Sequence, residues 1–505
     1  MQSYDVIIVG AGLSGIGAAH HLQQHCPGKS YAILESRDAL GGTWDLFRYP
    51  GIRSDSDMYT LGYNFKPWLQ SKAIADGPSI LDYVRETASE NNIDEHIFYN
   101  KRLRRATWSS GDARWELEIE SADGELQEPI RCNFLYMCCG YYQYEQGYSP
   151  EFAGRESFSG QIVHPQHWPD DLNYQNKRVL VIGSGATAMT LVPAMTDKAA
   201  HVTMVQRSPT YVISRPASDW LANLLRRILP TQLGYRIVRW KNVLQQRLLY
   251  RKSREKPEKL KAWLLRAARK ALPKDYDFDK HFLPRYNPWD ERMCLIPDAD
   301  LFKALSNGQA SIVTGEIDHF NECGLKMKSG EQLDADIIVT ATGLNLQVLG
   351  GAEFVVDGEA IDFAKTVSYK GLMTSDVPNM VQCFGYINAS WTLRADLTSE
   401  FVCRLINHMD NSGVEECVPK LRDEDAKMPL RPWIDDFSPG YMARVMHLFP
   451  RQGDRAPWLN TQDFATDKTL IGEAELDDGV LRFRRATQSS APAQPSEREL
   501  EAEVN

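Results

Sequence analysis

Apolar positions along the chain arrive in two blocks of the same order. In "YDVIIVGAGLSGIGAAHHLQQH" (Tyr4–His25) a short apolar run leads through glycines into a segment rich in Ala and Leu, and "SYAILES" comes next as a second apolar run. The order returns 173 residues later, counting from Gly10 to Gly183, in "KRVLVIGSGATAMTLVPAM" and then "HVTMVQRS". A short, unbroken apolar run bounded by glycine suits a strand covered on both faces, as in a parallel sheet. Strand, glycine turn and helix, repeated in this way, predict an α/β protein with two Rossmann-like dinucleotide-binding domains. No shorter repeat occurs, which argues against a solenoid.

Between Ala217 and Arg285 the pattern becomes helical and basic, as in "WLANLLRRILPTQLGYRIVRWKNVLQQRLLYRKSREK". That stretch holds 18 Lys and Arg against 6 Asp and Glu, a balance of +12; the whole chain carries −10, so the remainder is near −22. A solvated helical insertion fits this composition. So does an amphipathic surface that touches anionic lipid or meets apolar substrate at a membrane. From Arg484 onward, "RRATQSSAPAQPSERELEAEVN" is polar and rich in Ser, Pro and Glu, and reads as disordered. The expected organisation is a first nucleotide domain at 1–145 and 381–483, and a second at 155–215 and 286–380. The helical insertion occupies 216–285 and the tail 484–505.

Composition narrows the function. With 505 residues, 43% hydrophobic and 25% charged, the chain has room for two or three full cores. The acidic balance argues against nucleic acid as the main partner. Nine cysteines are scattered, with only Cys138 and Cys139 adjacent, and neither C-x-x-C nor zinc-ligand spacing occurs. The expectation is reduced thiols, no metal site and a cytoplasmic protein, with peripheral membrane contact through the basic insertion. No apolar run is long enough to span a bilayer, and Asp5 interrupts any signal peptide.

The two glycine turns differ in the residues downstream of them. Gly10-Ala11-Gly12-Leu13-Ser14-Gly15 fits G-x-G-x-x-G, and Glu35 stands 20 residues on, at the end of the second strand, where an acid meets a ribose hydroxyl. Gly183-Ser184-Gly185-Ala186-Thr187-Ala188 has alanine in the third small position, and its second strand ends in Arg207-Ser208. A guanidinium there suits a 2′-phosphate. The first site therefore prefers FAD or NAD and the second NADP. Two dinucleotides in one chain imply electron transfer, most simply from NADPH to FAD. The paired cysteines of disulfide reductases are missing, so O₂ leads as the acceptor.

Just before the second turn lies "SFSGQIVHPQHWPDD" (Ser157–Asp171). Taken alone, His164 and His167 read as structural histidines. Phe158, Gly160, His164, Trp168 and Pro169 nonetheless match the F-x-G-x-x-x-H-x-x-x-W-P signature, and the chain resembles the type I Baeyer–Villiger monooxygenases. Gly41–Trp68, Tyr286–Phe302, Ile337–Gln347 and Gly385–Ile406 extend the likeness. It is nearest to the subgroup holding the ethionamide-activating and the flavin-binding long-chain alkane monooxygenases.

The resemblance implies roles. Ser14, Glu35, Thr43, Trp44, Asp45, Leu46, Arg53, Ser54, Asp55 and Leu103 would contact FAD. Gly183 to Met189 would cradle the NADP pyrophosphate, with Arg207 and Ser208 on its phosphate. His164 would couple domain movement to catalysis. Arg292 would be the catalytic cation, positioned by Asp55, beside a C4a-peroxyflavin that attacks a carbonyl. Glu291 stands where many members have lysine, which shifts phosphate binding onto Arg207 and Ser208. The implied reaction inserts oxygen beside the carbonyl of an apolar, medium- or long-chain ketone, giving an ester or lactone. Oxidation of thioether, thioamide or nitrogen substrates is the second reading, a step in long-chain alkane degradation the third, and a membrane-surface adaptor the non-enzymatic one.

Overall fold

In the computed structural model, which describes residues 1–291, 293–435 and 439–485, each of the two apolar blocks becomes the middle of a sheet. Gln2–Val9 lies parallel between Tyr31–Leu34 and Ile130–Met137, with Val9 level with both Leu34 and Met137. Helix Leu13–His25 comes directly after the first strand. The sheet continues antiparallel through Arg114–Ser121 to Lys101–Ser109. That register sets Trp108 opposite Trp115, with their rings 5.4 Å apart and fully buried.

The second sheet is all parallel, in the order Ala310–Thr314, His201–Gln206, Arg178–Ile182, Ile337–Thr340, Gln161–Val163. Helix Ala186–Met195 succeeds Arg178–Ile182 across the second glycine turn. Strands of this kind are apolar on both faces because helices and loops cover both.

Two domain boundaries differ from the sequence-based expectation. The stretch 286–380 does not stay with the second sheet: Glu353–Val356 pairs parallel with Lys101–Ser109, and Glu359–Ala360 pairs with it in turn. Phe354 is buried edge-on against Trp115, at 6.1 Å. Edge pairing and one aromatic contact carry this return, and no glycine turn marks it in the sequence. Met380–Gln382 then pairs with Leu135–Met137. At the other boundary, Arg484 belongs to a strand rather than a tail. Leu481–Arg484 pairs with Glu416–Pro419, and the Arg484 guanidinium meets Glu416 at 2.6 Å. Residues 486–505, the rest of the expected tail, lie outside the described residues.

The chain crosses between the sheets twice, and the crossings run together. Tyr142–Gly147 on the way out is antiparallel to Leu344–Leu346 on the way back. The helical insertion leaves after strand Tyr211–Arg215 and ends before that strand's parallel partner, Met293–Pro297. It contains helices Trp220–Ile228, Thr231–Glu255, Pro257–Lys270 and Phe278–Phe282. The longest is held by polar groups to the helix Met58–Leu61. Arg239 Nη1 donates to the carbonyls of Tyr59, Thr60 and Gly62, while Asn242 and Gln246 donate to the Asp57 carboxylate.

Candidate active site

The first glycine turn works by backbone alone. Gly10 sits at φ +105°, and a Cβ there would lie 2.7 Å from the Cys138 carbonyl oxygen. Gly15 lets its helix pass the Gly10 carbonyl, which a Cβ would approach to 1.8 Å. Gly12 and Gly185 occupy the cap positions of the two helices, and neither helix has a side-chain cap. Their first N–H groups therefore need an outside acceptor. A Cβ on Gly12 would meet only Gly42, at 3.6 Å, and one on Gly185 would meet nothing within 4 Å. The protein does not fill the space beside either turn. Uncapped amides facing open space suit the pyrophosphates of two dinucleotides.

Glu35 completes the first site. It is buried, and its Oε2 accepts from the Ala11 amide at 2.8 Å, while Oε1 accepts from the Arg37 amide at 3.0 Å. Burial raises its pKa against the pull of these donors. Lone pairs remain for a ribose hydroxyl.

One cavity of about 920 Å³ joins the two turns. From the first side it takes Gly10, Gly12, Ser14, Glu35 and Leu103. From the flavin-like segment it takes Thr43, Trp44, Leu46, Arg53, Ser54 and Asp55. From the first turns of the helix that follows the second glycine turn it takes Ala186, Thr187 and Thr190. Two contacts tie the middle segment to the second domain. Tyr49 is buried in the core of the second domain, and burial lifts its pKa to about 12 against the opposing influence of Thr187. Arg53 pairs with Asp300 at 2.5 Å and donates to the Met189 carbonyl at 3.5 Å.

Several expected residues stand elsewhere. Asp45 is buried among Arg37 (2.7 Å), Arg85 (3.2 Å) and Arg48 (3.6 Å) and does not line the cavity. Gly15, Gly183, Ser184, Gly185, Ala188 and Met189 do not line the cavity, and Ala188 and Met189 lie in the second core. Arg207 and Ser208 are exposed beyond the end of His201–Gln206. Arg292 lies outside the described residues. Glu291 is close enough to Arg207 to feel its charge, and burial raises the Glu291 pKa while Arg207 opposes the rise.

His164 also stays out of the cavity, while His167 lines it. His164 Nε2 donates to the Gly343 carbonyl at 3.2 Å, and Nδ1 accepts from the Gln166 amide at 3.2 Å. Both ring nitrogens are thus committed, and burial lowers the pKa. The ring packs against Gly147, where a Cβ would come within 1.9 Å of it. Gln166 continues the clamp, donating to the carbonyls of Gln143 and Tyr144 at 2.8 and 2.9 Å. A neutral imidazole therefore wedges the two crossings at their junction with the second domain.

Sequence reading missed the aromatic wall. Tyr141 stacks on Trp391, with centroids 5.4 Å apart and planes 17° apart, and Trp391 Nε1 donates to Ser14 Oγ at 2.7 Å. Tyr142, Tyr144 and Tyr386 line the same cavity. The signal was present in "CCGYYQYE", three tyrosines directly after the apolar strand Ile130–Met137.

A model of flavin-binding monooxygenase-like proteins matches residues 73–407, and one of NAD(P)-binding Rossmann-like domains matches 8–70. The FAD-containing monooxygenase EthA of Mycobacterium tuberculosis (strain ATCC 25618 / H37Rv) is 52% identical over 485 residues, 96% of this chain and 98% of that protein. The probable FAD-binding monooxygenase AlmA of Acinetobacter baylyi is 46% identical over 484 residues, 96% of each. Among solved structures, a steroid monooxygenase bound to NADP superposes with a TM-score of 0.70 at 22% identity, covering 84% of this chain and 88% of that one. An open cyclohexanone monooxygenase gives 0.71 at 19% identity, covering 83% and 90%.

This geometry makes two outcomes measurable. Glu291→Lys replaces a carboxylate near Arg207 with a cation, and should lower KM for NADPH about three- to tenfold relative to NADH, with kcat little changed. Steady-state kinetics with both cofactors checks it. For His164, the unfolded imidazole protonates near pH 6.5 and the folded one lower. Stability should therefore fall as pH drops from about 6.5 through the folded value. In His164→Gln, denaturation midpoints should fall less steeply than in the parent between about pH 7 and pH 5.

Proposed function

This chain belongs to the flavin-binding monooxygenase-like family, and we propose that it is an FAD-containing, NADP(H)-dependent enzyme that inserts oxygen beside the carbonyl of an apolar aliphatic ketone. One atom of O₂ enters the ketone to give an ester or lactone; the other leaves as water with the hydride of NADPH and one proton from solvent, and NADPH becomes NADP⁺. The observation that supports the reading is one continuous aromatic-walled cavity running from the first glycine turn to the helix that follows the second, with the signature Phe158 to Pro169 clamped at its edge.

FAD, when bound, supplies the route by which two electrons from NADPH activate O₂. The rest is the work of this chain's residues. The uncapped amides at Gly12 and Gly185 hold the two pyrophosphates. Glu35 takes the ribose at the first site, and Arg207 with Ser208 takes the phosphate at the second. Arg292, positioned by Asp55, offsets the negative charge that develops on the carbonyl oxygen; removing one such donor costs roughly 3–4 kcal/mol in other enzymes. Tyr141, Tyr142 and Trp391 keep water from the reacting atoms, which limits wasteful release of hydrogen peroxide. His164 acts as a positioning residue between the domains. In this reading the nucleotide domains are 1–145 with the return from about 353 onward, and 155–215 with 286 to about 352.

Incubation with FAD, NADPH, ¹⁸O₂, a series of 2-ketones and one thioether tests the proposal. A labelled ester should form, and Arg292→Ala should lose it by about 10² or more while still binding FAD. Labelled sulfoxide with no ester from any ketone would instead assign the enzyme to sulfur oxidation.

A further inference from the structure

The helical insertion buries only one of two apolar faces. On helix Thr231–Glu255, Tyr235, Val238 and Asn242 turn inward and are buried. Leu233, Ile237, Trp240, Leu244 and Leu248 are between 39% and 67% exposed. Their spacing of four, three, four and four residues confines them to an arc of about 80° at ~100° per residue, opposite the buried set. On the preceding helix, Trp220, Leu224 and Ile228 repeat every four residues and are between 45% and 75% exposed. The two helices pack together: a Cβ on Gly234 would lie 3.5 Å from the Leu225 carbonyl oxygen. Scattered exposed hydrophobics need no explanation, but two periodic stripes that together hold eight of them on two packed helices do.

We propose that this face docks on the surface of an anionic phospholipid bilayer, lying in the headgroup plane. Charge supports that occupant. The insertion carries +12 in a chain that is otherwise near −22, and Arg227, Arg236 and Lys252 on these helices are exposed and make no ion pair among the described residues. Helical faces of Leu, Ile and Trp bordered by cations are what the interface of an anionic membrane binds. A second copy of the chain fits poorly, because a two-fold contact through this face would bring two insertions of +12 together. Among the described residues no helix is long and apolar enough to cross a membrane, so the contact is with the surface. The inner face of the same long helix holds Asp57 and the carbonyls of residues 59, 60 and 62. These lie immediately after the cavity-lining Ser54, Asp55 and Ser56. Docking therefore holds the segment that lines the cavity about one helix diameter, ~10 Å, from the lipid surface, whatever the substrate proves to be.

Co-sedimentation of the full-length, FAD-loaded protein with vesicles tests this. Binding should be strong to mixed phosphatidylglycerol–phosphatidylcholine vesicles, at least about tenfold weaker to phosphatidylcholine alone, and reduced by salt. The double variant Ile237→Glu, Trp240→Glu should bind the anionic vesicles about tenfold or more weakly, with its flavin spectrum and NADPH oxidation in solution unchanged. Should that variant lose its flavin, Leu233→Gln with Leu244→Gln is read in the same way. Parent protein that stays in the supernatant with anionic vesicles, or variants that bind as the parent does, would overturn the proposal. So would a vesicle-free dimer of the parent that the variant dissolves, which would give the face to a second copy.

Discussion

A ribbon of two antiparallel backbone segments, Tyr142–Gly147 and Leu344–Leu346, is the constraint on which the site depends. Each sheet carries its own glycine turn and uncapped helix. Neither unit by itself specifies where the other's turn should point. The paired crossings do, and His164 and Gln166 seal them through the carbonyls of Gln143, Tyr144 and Gly343. A neutral imidazole suits this wedge, because one nitrogen must donate while the other accepts. Protonation would turn the acceptor into a second donor facing the Gln166 amide.

Once the turns face each other, side chains from the intervening segment bridge them. Tyr49 packs into the second core and Arg53 reaches Asp300, so Gly41–Trp68 touches both units. The same segment continues into Asp57, which the basic insertion grips. The insertion is thus linked to the cavity by a short length of chain, and its polar inner face and apolar outer face serve different neighbours. Burial dominates the ionisable groups along this path. It raises Glu35 and Glu291 and lowers His164, each against at least one partner that favours the charged form.

Much of the fold was legible because glycine turns and apolar strands are local. Gly10 and Gly12 lie between the first strand and its helix, Glu35 directly follows the strand Tyr31–Leu34, and four helices lie within the basic stretch. The features that were missed are non-local. Glu353–Val356 returns to the first sheet by pairing with a distant edge, where Val356 stands opposite Trp108, 248 residues earlier in the chain. Asp45 lies within a segment that otherwise faces the cavity, and only the positions of Arg37 and Arg85 turn it away. The aromatic wall needed Trp391 to come back beside Tyr141 from the far end of the chain. The long helix displayed its charge in the sequence, but which apolar positions stay uncovered depends on the helices packed beneath it.

Mixing FAD-loaded protein with NADPH in the absence of oxygen tests most directly whether one cavity serves both a flavin and a nicotinamide. The account predicts that the visible flavin absorbance bleaches, and that deuterium on one face only of the nicotinamide C4 slows the bleaching. Flavin that dithionite reduces but NADPH leaves oxidised would contradict it.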